Sequence, residues 1–447
     1  MLGKQLSRWT MAWFASAILF LIAALGLMVA GAAGPAHWDN GRALAVVHLF
    51  ALGWLGQMML GALLQFAPVL VARPLALPAL ALPALLMSTL GVLLLAAGFL
   101  ALDGWEGGIL LLEAGPVLLA GAFACGGAML GGTLVAAGGW RGSEARVVLA
   151  GLAGLVLVWA SGAGMVLDLT GNGPGQLIEA LPLHVAAGVG GWLGLAAFGV
   201  SYKLFAMFLL APDGDSAQRR AGFVLALVAL SLVLGGLTAV LTALSARLAV
   251  VGVAVAALAA AVLYLADIRR LWTIRRRPQP EVNMQMSRAA LAFLVLVCGL
   301  LPFAAAWGGR WAEAAVFAAL VGWLSTLTLA QMIKIVSFLT WIQYFAPRIG
   351  KAKVPVVQDL TNAGAARRWL WLWTLGALCG TMALLAEMPL LFRLASLALL
   401  AAAIGLAAEA VAIRRLSHLS PDARPTRVPV ILPPLAERRP RNDPMQA

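Results

Sequence analysis

Two histidines lie inside strongly apolar segments of this 447-residue chain, where ionisable side chains are costly and usually functional. His48 stands in VVHLFALGWLG and His184 stands in LPLHVAAGVGGWLG. Imidazole is a common ligand of heme iron and of other metal ions. Both residues are therefore predicted to bind a cofactor or a metal. The alternative is that each ring only forms a hydrogen bond to a neighbouring helix.

The spacing around the two histidines argues against symmetry-equivalent roles. Each precedes a Gly-Trp-Leu sequence, His48 by 53 − 48 = 5 residues and His184 by 191 − 184 = 7 residues. A two-residue offset turns an α-helix by about 200°. The spacing leaves open two separate sites, or one heme with a single histidine ligand.

The remaining polar candidates are less specific. Arg310, in WGGRWAEAAVF, is predicted at the same end of the apolar segments as the two histidines, and arginine commonly neutralises carboxylates such as heme propionates. His37, in the first predicted outer loop, is interpreted as a plain polar residue, and His418 as a solvated tail residue. The three cysteines form no Cys-x-x-Cys-His sequence, so any heme is predicted to be b-type rather than c-type.

The elements that position these residues are apolar helices. The chain is 62% hydrophobic and 11% charged, whereas soluble domains contain about 25% charged residues. About 20 apolar residues are needed to cross the bilayer core. The sequence therefore predicts an all-α polytopic membrane protein with twelve transmembrane helices, near 10–33, 44–71, 75–101, 109–137, 147–168, 182–210, 222–243, 248–267, 289–307, 314–345, 369–386 and 391–413.

The net charge of +13 matches a membrane topology better than a nucleic-acid-binding surface. Lysine and arginine concentrate in alternate connections, above all in 269–288 and 347–368, and in the C-terminal tail. Such positive segments mark cytoplasmic loops. We therefore predict a multi-pass protein of a bacterial-type inner (plasma) membrane, with both termini cytoplasmic, lipid as its surroundings and no nucleic-acid partner.

A Gly-Trp-Leu frame recurs in the second, sixth and tenth predicted helices, beginning at Gly53, Gly191 and Gly322. The starts are separated by 191 − 53 = 138 and 322 − 191 = 131 residues. Internal repetition of this kind sets an architecture, because each unit buries its faces against its neighbours. It predicts three pseudo-threefold four-helix units within residues 1–413, at about 1–146, 147–287 and 288–413, followed by a disordered cytoplasmic tail rich in Pro and Arg at 414–447.

The tryptophans of these frames have two interpretations. Trp54 and Trp192 are predicted to lie deeper than an interfacial aromatic belt. They either pack helices together or line a flat cofactor. We keep both as candidate cofactor contacts beside His48, His184 and Arg310.

Twelve helices in three four-helix arcs, with histidines in the outer parts of helices two and six, resemble the catalytic subunit of heme-copper oxidases and nitric oxide reductases. GWLGQMMLGALLQFAPVL and KIVSFLTWIQYFAPRIGKAKVP are similar to divergent members of that superfamily, and NnrS-type heme- and copper-binding membrane proteins are a further resemblance. The resemblance implies heme b, with copper as a possible second cofactor, and His48 and His184 as metal ligands. It also implies a quinol or cytochrome electron donor, or other respiratory subunits, as partners.

The departures from that superfamily limit the expected function. Its respiratory members carry two histidines in helix ten and a His-Pro-x-x-Tyr stretch in helix six, whereas this chain has no histidine in helix ten and Val-Ala-Ala-Gly after His184. A proton-pumping terminal oxidase is therefore not expected. The expected function is heme binding with a redox, nitric-oxide-related or metal-related role, and any enzyme activity would be that of an oxidoreductase. A transporter or permease, and a cofactor-free accessory subunit of a respiratory complex, are the alternatives.

Overall fold

Twelve long helices form the fold. The computed structural model describes residues 6–425, except 36, 37, 39, 103, 105–107, 137, 213 and 352, and contains no strand within that part of the chain. His37 and the tail beyond 425 lie outside the described residues. The helices are α1 Leu6–Val29, α2 Gly41–Val71, α3 Ala81–Ala101, α4 Gly108–Ala136, α5 Ser143–Leu169, α6 Leu177–Leu209, α7 Ala217–Leu241, α8 Arg247–Thr273, α9 Val282–Trp307, α10 Gly309–Arg348, α11 Ala363–Leu385 and α12 Pro389–Arg414.

Among the described residues, eleven of these helices are long and apolar enough to cross a membrane. The exception is α11, which has sufficient length at 23 residues but carries Arg367 and Arg368 and three tryptophans in its first half, and these lower its mean hydropathy. The structure thus contains the twelve helices predicted from the sequence.

The helix contacts repeat with a period of four helices. In each unit the first helix packs on the second, and the third and fourth form a hairpin. Neighbouring units meet through α4 and α5, through α8 and α9, and through α12 and α1, so the ring of units closes on itself. The second helices of the units, α2, α6 and α10, meet one another at the centre. This arrangement is the predicted pseudo-threefold architecture, and it places the segments with the Gly-Trp-Leu frames together.

Each Gly-Trp-Leu frame adopts a π-helical conformation. The π-helical segments are Leu49–Gly56 in α2, Ala186–Gly194 in α6 and Ala318–Leu324 in α10. A π-helix is rare, occurs mostly as a single turn inside an α-helix, and is frequent at functional sites. The same unusual conformation at three equivalent positions therefore marks a structural feature of the repeat, which the sequence alone did not reveal.

The first glycine of each frame permits close contact with the first helix of the same unit. A Cβ added to Gly53 would lie 2.6 Å from the Phe20 ring of α1, and one added to Gly322 would overlap the Phe293 ring of α9. In the second unit, a Cβ added to Gly154 of α5 would overlap the Gly191 backbone. Small residues at such contacts let membrane helices approach closely. The frame therefore fixes each central helix against its own unit.

Residues that follow α12 pack against the bundle as far as 425. Leu416 is fully buried, and Arg424 donates hydrogen bonds to the carbonyls of Ser417 and Leu419. His418 pairs with buried Glu409 at 3.0 Å, so it is not the freely solvated residue predicted from the sequence.

Candidate functional site

His48 is held at the end of the first α-helical part of α2, immediately before the π-helical segment. Its Nδ1 lies 2.7 Å from the Leu44 carbonyl oxygen, one turn earlier. The ring of Phe99, from α3, covers it with centroids 4.7 Å apart and planes tilted by 31°. The histidine is therefore oriented by its own helix and by its neighbour in the first unit.

His184 is held against α5 in the same way by two neighbouring residues. Its Nδ1 lies 3.0 Å from Ser161 Oγ, which is itself buried. A Cβ added to Gly162 would lie only 2.9 Å from His184 Cε1, so the ring occupies space that exists because residue 162 is glycine. Ser161 and Gly162 thus form a fitted support for the imidazole. Sequence reasoning missed both, since a Ser-Gly pair in an apolar helix is indistinguishable from ordinary helix packing.

The hydrogen bonds of both rings fit the same tautomer. A carbonyl oxygen only accepts, so His48 Nδ1 must donate to Leu44. Ser161 Oγ lies within hydrogen-bond distance of the Leu157 and Val158 carbonyls, at 2.8 and 3.2 Å, and of His184 Nδ1. When Ser161 donates its one proton to a carbonyl, it accepts from His184 Nδ1. With Nδ1 protonated in each ring, the Nε2 lone pair is available for a ligand bond.

The two histidines face each other across the boundary between the first and second units. Their ring centroids are 6.4 Å apart, and the planes are inclined by 36°. The two rings therefore lie at one place, although their spacings from the Gly-Trp-Leu sequences differ by two residues.

The frame tryptophans join the central helices. Trp54 is fully buried and its Nε1 donates to Ser325 Oγ of α10 at 2.9 Å. Trp323 of α10 lies against α6, where a Cβ added to Gly194 would be 3.3 Å from its ring. Trp192 is also buried. These contacts favour the packing interpretation of Trp54. For Trp192, both interpretations remain predictions.

We expect Trp54→Phe to lower the free energy of unfolding by about 1 kcal/mol, because it removes one buried hydrogen bond and keeps most of the ring volume. Ser325 retains its bond to the Leu320 carbonyl, so no buried hydroxyl is left unpaired. Thermal unfolding of the detergent-solubilised protein measures the loss. A change in the absorption spectrum without a change in stability would instead favour a cofactor contact for Trp54.

Arg310 forms an ion pair that sequence reasoning did not anticipate. Its Nη1 lies 3.6 Å from Glu387 Oε1 in the turn between α11 and α12, and the two side chains are 48% and 60% exposed. The guanidinium also approaches the Trp311 ring, at 6.0 Å. The structure therefore explains Arg310 by surface contacts within the third unit and does not bring it to the histidine pair.

The histidine pair offers two donor nitrogens. In the described part of the chain, no group of three or more His, Cys, Asp or Glu side chains is arranged to hold a metal ion. A structural zinc ion takes four protein ligands and a catalytic one takes three. The donor set at His48 and His184 therefore does not fit a bare zinc ion. It fits a metal ion whose remaining coordination positions are filled by a non-protein ligand.

The fold is shared with a solved protein. A structure described as a heme-copper terminal oxidase dimer aligns with 92% of this chain and 84% of its own, with a TM-score of 0.66 and 12% sequence identity. No protein-family model and no curated protein sequence matches the chain. At this identity the likeness concerns fold, which the repeated helix contacts support independently. The chain is therefore a multi-pass helical membrane protein with the fold of heme-copper terminal oxidases.

Proposed function

We propose that this protein binds one b-type heme between α2 and α6, held by His48 and His184, and that it transfers electrons. The observation that carries the proposal is the separation of the two rings. A transition metal lies about 2 Å from each histidine nitrogen that binds it, so two imidazoles on opposite sides of one ion have centroids about 6 Å apart. The centroids of His48 and His184 are 6.4 Å apart.

The chemistry of the donors supports heme over a bare ion. Porphyrin fills four positions of the iron, so two protein nitrogens complete the coordination. Both histidines keep Nε2 available, and both Nδ1–H groups have acceptors, which orient the rings and raise their basicity. Copper, implied by the sequence resemblance, is the second candidate for the same two nitrogens.

The same donors favour electron transfer over reaction with a gas. When bound, heme supplies reversible one-electron chemistry at its iron. His48 and His184 would both hold the heme, which favours electron transfer over the binding of oxygen or nitric oxide. The roles of the protein residues are to hold the ligands in one tautomer and to surround them with apolar helices. Electrons would come from a quinol, a cytochrome or another respiratory subunit, as in the sequence-based expectation.

The proposed location is the inner membrane of a bacterial-type cell. With twelve spans, both termini would lie on one side of the membrane, and the arginine-rich connections would make that side the cytoplasm. A transporter and a cofactor-free accessory subunit are the competing functions.

The absorption spectrum of protein purified from a heme-supplied host tests the proposal. We expect a Soret band, a b-type pyridine hemochrome and one iron per chain without copper. His48→Ala and His184→Ala should each change the spectrum, whereas His418→Ala, which alters a histidine paired with Glu409, should leave it unchanged. A colourless protein would favour a transporter or accessory subunit, and copper without iron would assign the pair to copper.

A further inference from the structure

The boundary between the second and third units carries a concentrated positive charge at one end of α8 and α9. Residues 269–288 contain six arginines and one glutamate, a net charge of 6 − 1 = +5. The glutamate, Glu281, is already paired with Arg277 and with Lys334. Arg270 is paired with buried Asp267. Within the described residues, no carboxylate pairs with the four others, Arg269, Arg275, Arg276 and Arg288.

Two of these arginines, one from each side of the boundary, converge on a single tryptophan. Arg275 follows α8 and Arg288 belongs to α9, yet their Cζ atoms lie 5.8 and 5.7 Å from the centroid of the Trp272 ring. The Trp272 Nε1 donor is buried and has no acceptor among the described residues. Positive loops are general in membrane proteins. Convergence of two unneutralised guanidinium groups and an orphaned donor at one point is a more specific arrangement.

The cations stand at the ends of apolar surfaces that face outward. On α9, exposed Arg288 is followed on the same face by exposed Ala292 and Val295. On α8, exposed Arg269 is preceded on its outer face by exposed Ala266 and Val262. Because side chains three and four apart share one face of a helix, each helix presents a positive end and an apolar stripe. A molecule that fits both has an anionic head and hydrocarbon chains.

We propose that this boundary binds an anionic phospholipid, its phosphate between Arg275 and Arg288 above Trp272 and its acyl chains along α8 and α9. Basic pockets between transmembrane helices on the cytoplasmic side bind such headgroups. The phosphate neutralises the two guanidinium groups, which no carboxylate among the described residues does. The site lies in the contact between two units, so the lipid joins them.

Native mass spectrometry of protein taken from bilayers with equal phosphatidylglycerol and phosphatidylcholine tests this site. We expect phosphatidylglycerol to be retained preferentially. Arg275→Gln and Arg288→Gln should each lower its retention about fivefold, and Trp272→Leu should also lower it. Arg276→Gln is the matched control, since it removes the same charge from the same loop, where Arg276 contacts no ring.

Three outcomes would overturn the proposal. They are equal retention of the two lipids, an unchanged retention in Arg275→Gln and Arg288→Gln, and an equal loss in Arg276→Gln, which would show diffuse attraction to the loop. Circular dichroism and thermal unfolding establish that each variant is folded. Because lipid retention is measured without reference to heme, the result tests the lipid site separately from the proposed redox function.

Discussion

Replacing Arg219 by leucine should lower the free energy of unfolding by about 3 kcal/mol, because it leaves the buried carboxylate of Asp267 with only Arg270, whose side chain is 45% exposed, as a partner. The Arg219 and Asp267 side chains are 1% and 0% exposed, with Nη2 and Oδ2 3.3 Å apart. Arg219 Nη1 also lies 2.7 Å from Glu144 Oε1, and its Cζ lies 4.0 Å from the centroid of the Tyr202 ring. These contacts connect all four helices of the second unit, α5 to α8.

Two comparisons isolate the buried charge. Arg219→Leu combined with Asp267→Leu should recover most of the lost stability, since replacing a buried ion pair by apolar residues is often neutral. Arg220→Leu, next in sequence, removes an exposed arginine paired with Asp215 and should cost less than about 1 kcal/mol. Thermal unfolding of the solubilised proteins measures all three. Equal losses for Arg219→Leu and Arg220→Leu would contradict the buried-pair explanation.

The architecture could be predicted from the sequence because it depends on hydrophobicity and on repetition. The frames at Gly53, Gly191 and Gly322 placed the central helices correctly, since small residues must occur where helices touch. Their π-helical conformation could not be predicted, because α-helix and π-helix differ in the carbonyl that each N–H selects and have no distinct residue pattern. The predicted span at 369–386 matches α11 but begins after its two arginines, because the hydropathy pattern does not show where a helix starts.

The candidate site was predictable only in part. His48 and His184 stand out in apolar sequence, but their mutual approach depends on how α2 and α6 pack, which intrahelical spacing does not contain. Ser161 and Gly162 could not be identified, since their role is defined by the ring of His184 from another helix. Arg310 shows a different case: its residue type suggested a propionate partner, which stays a prediction, whereas its pairing with Glu387 depends on the turn before α12 and could not be predicted from the sequence.

The close contact of the His184 ring with Gly162 predicts a large effect of substituting this glycine on heme binding. Gly162→Val should displace the imidazole, because a Cβ there already lies 2.9 Å from Cε1 and valine adds two methyl groups. With heme bound as proposed, we expect His48 alone to remain as a protein ligand. The spectrum should change from six-coordinate low-spin to five-coordinate high-spin, and heme affinity should fall by about 10–100-fold. Absorption and electron paramagnetic resonance spectra measure the change.

Gly127→Val in α4 is the matched control, since no atom outside its own helix lies within 4 Å of a Cβ added there. It should retain the low-spin spectrum. Ser161→Ala separates steric from hydrogen-bonding support: it leaves the space for the ring but removes the acceptor of His184 Nδ1–H, so it should weaken heme binding without changing the spin state. If folded Gly162→Val kept a wild-type spectrum, His184 could not be an axial ligand. The pair would then be a packing contact between two units, because a ligand bond cannot survive displacement of the ring that makes it.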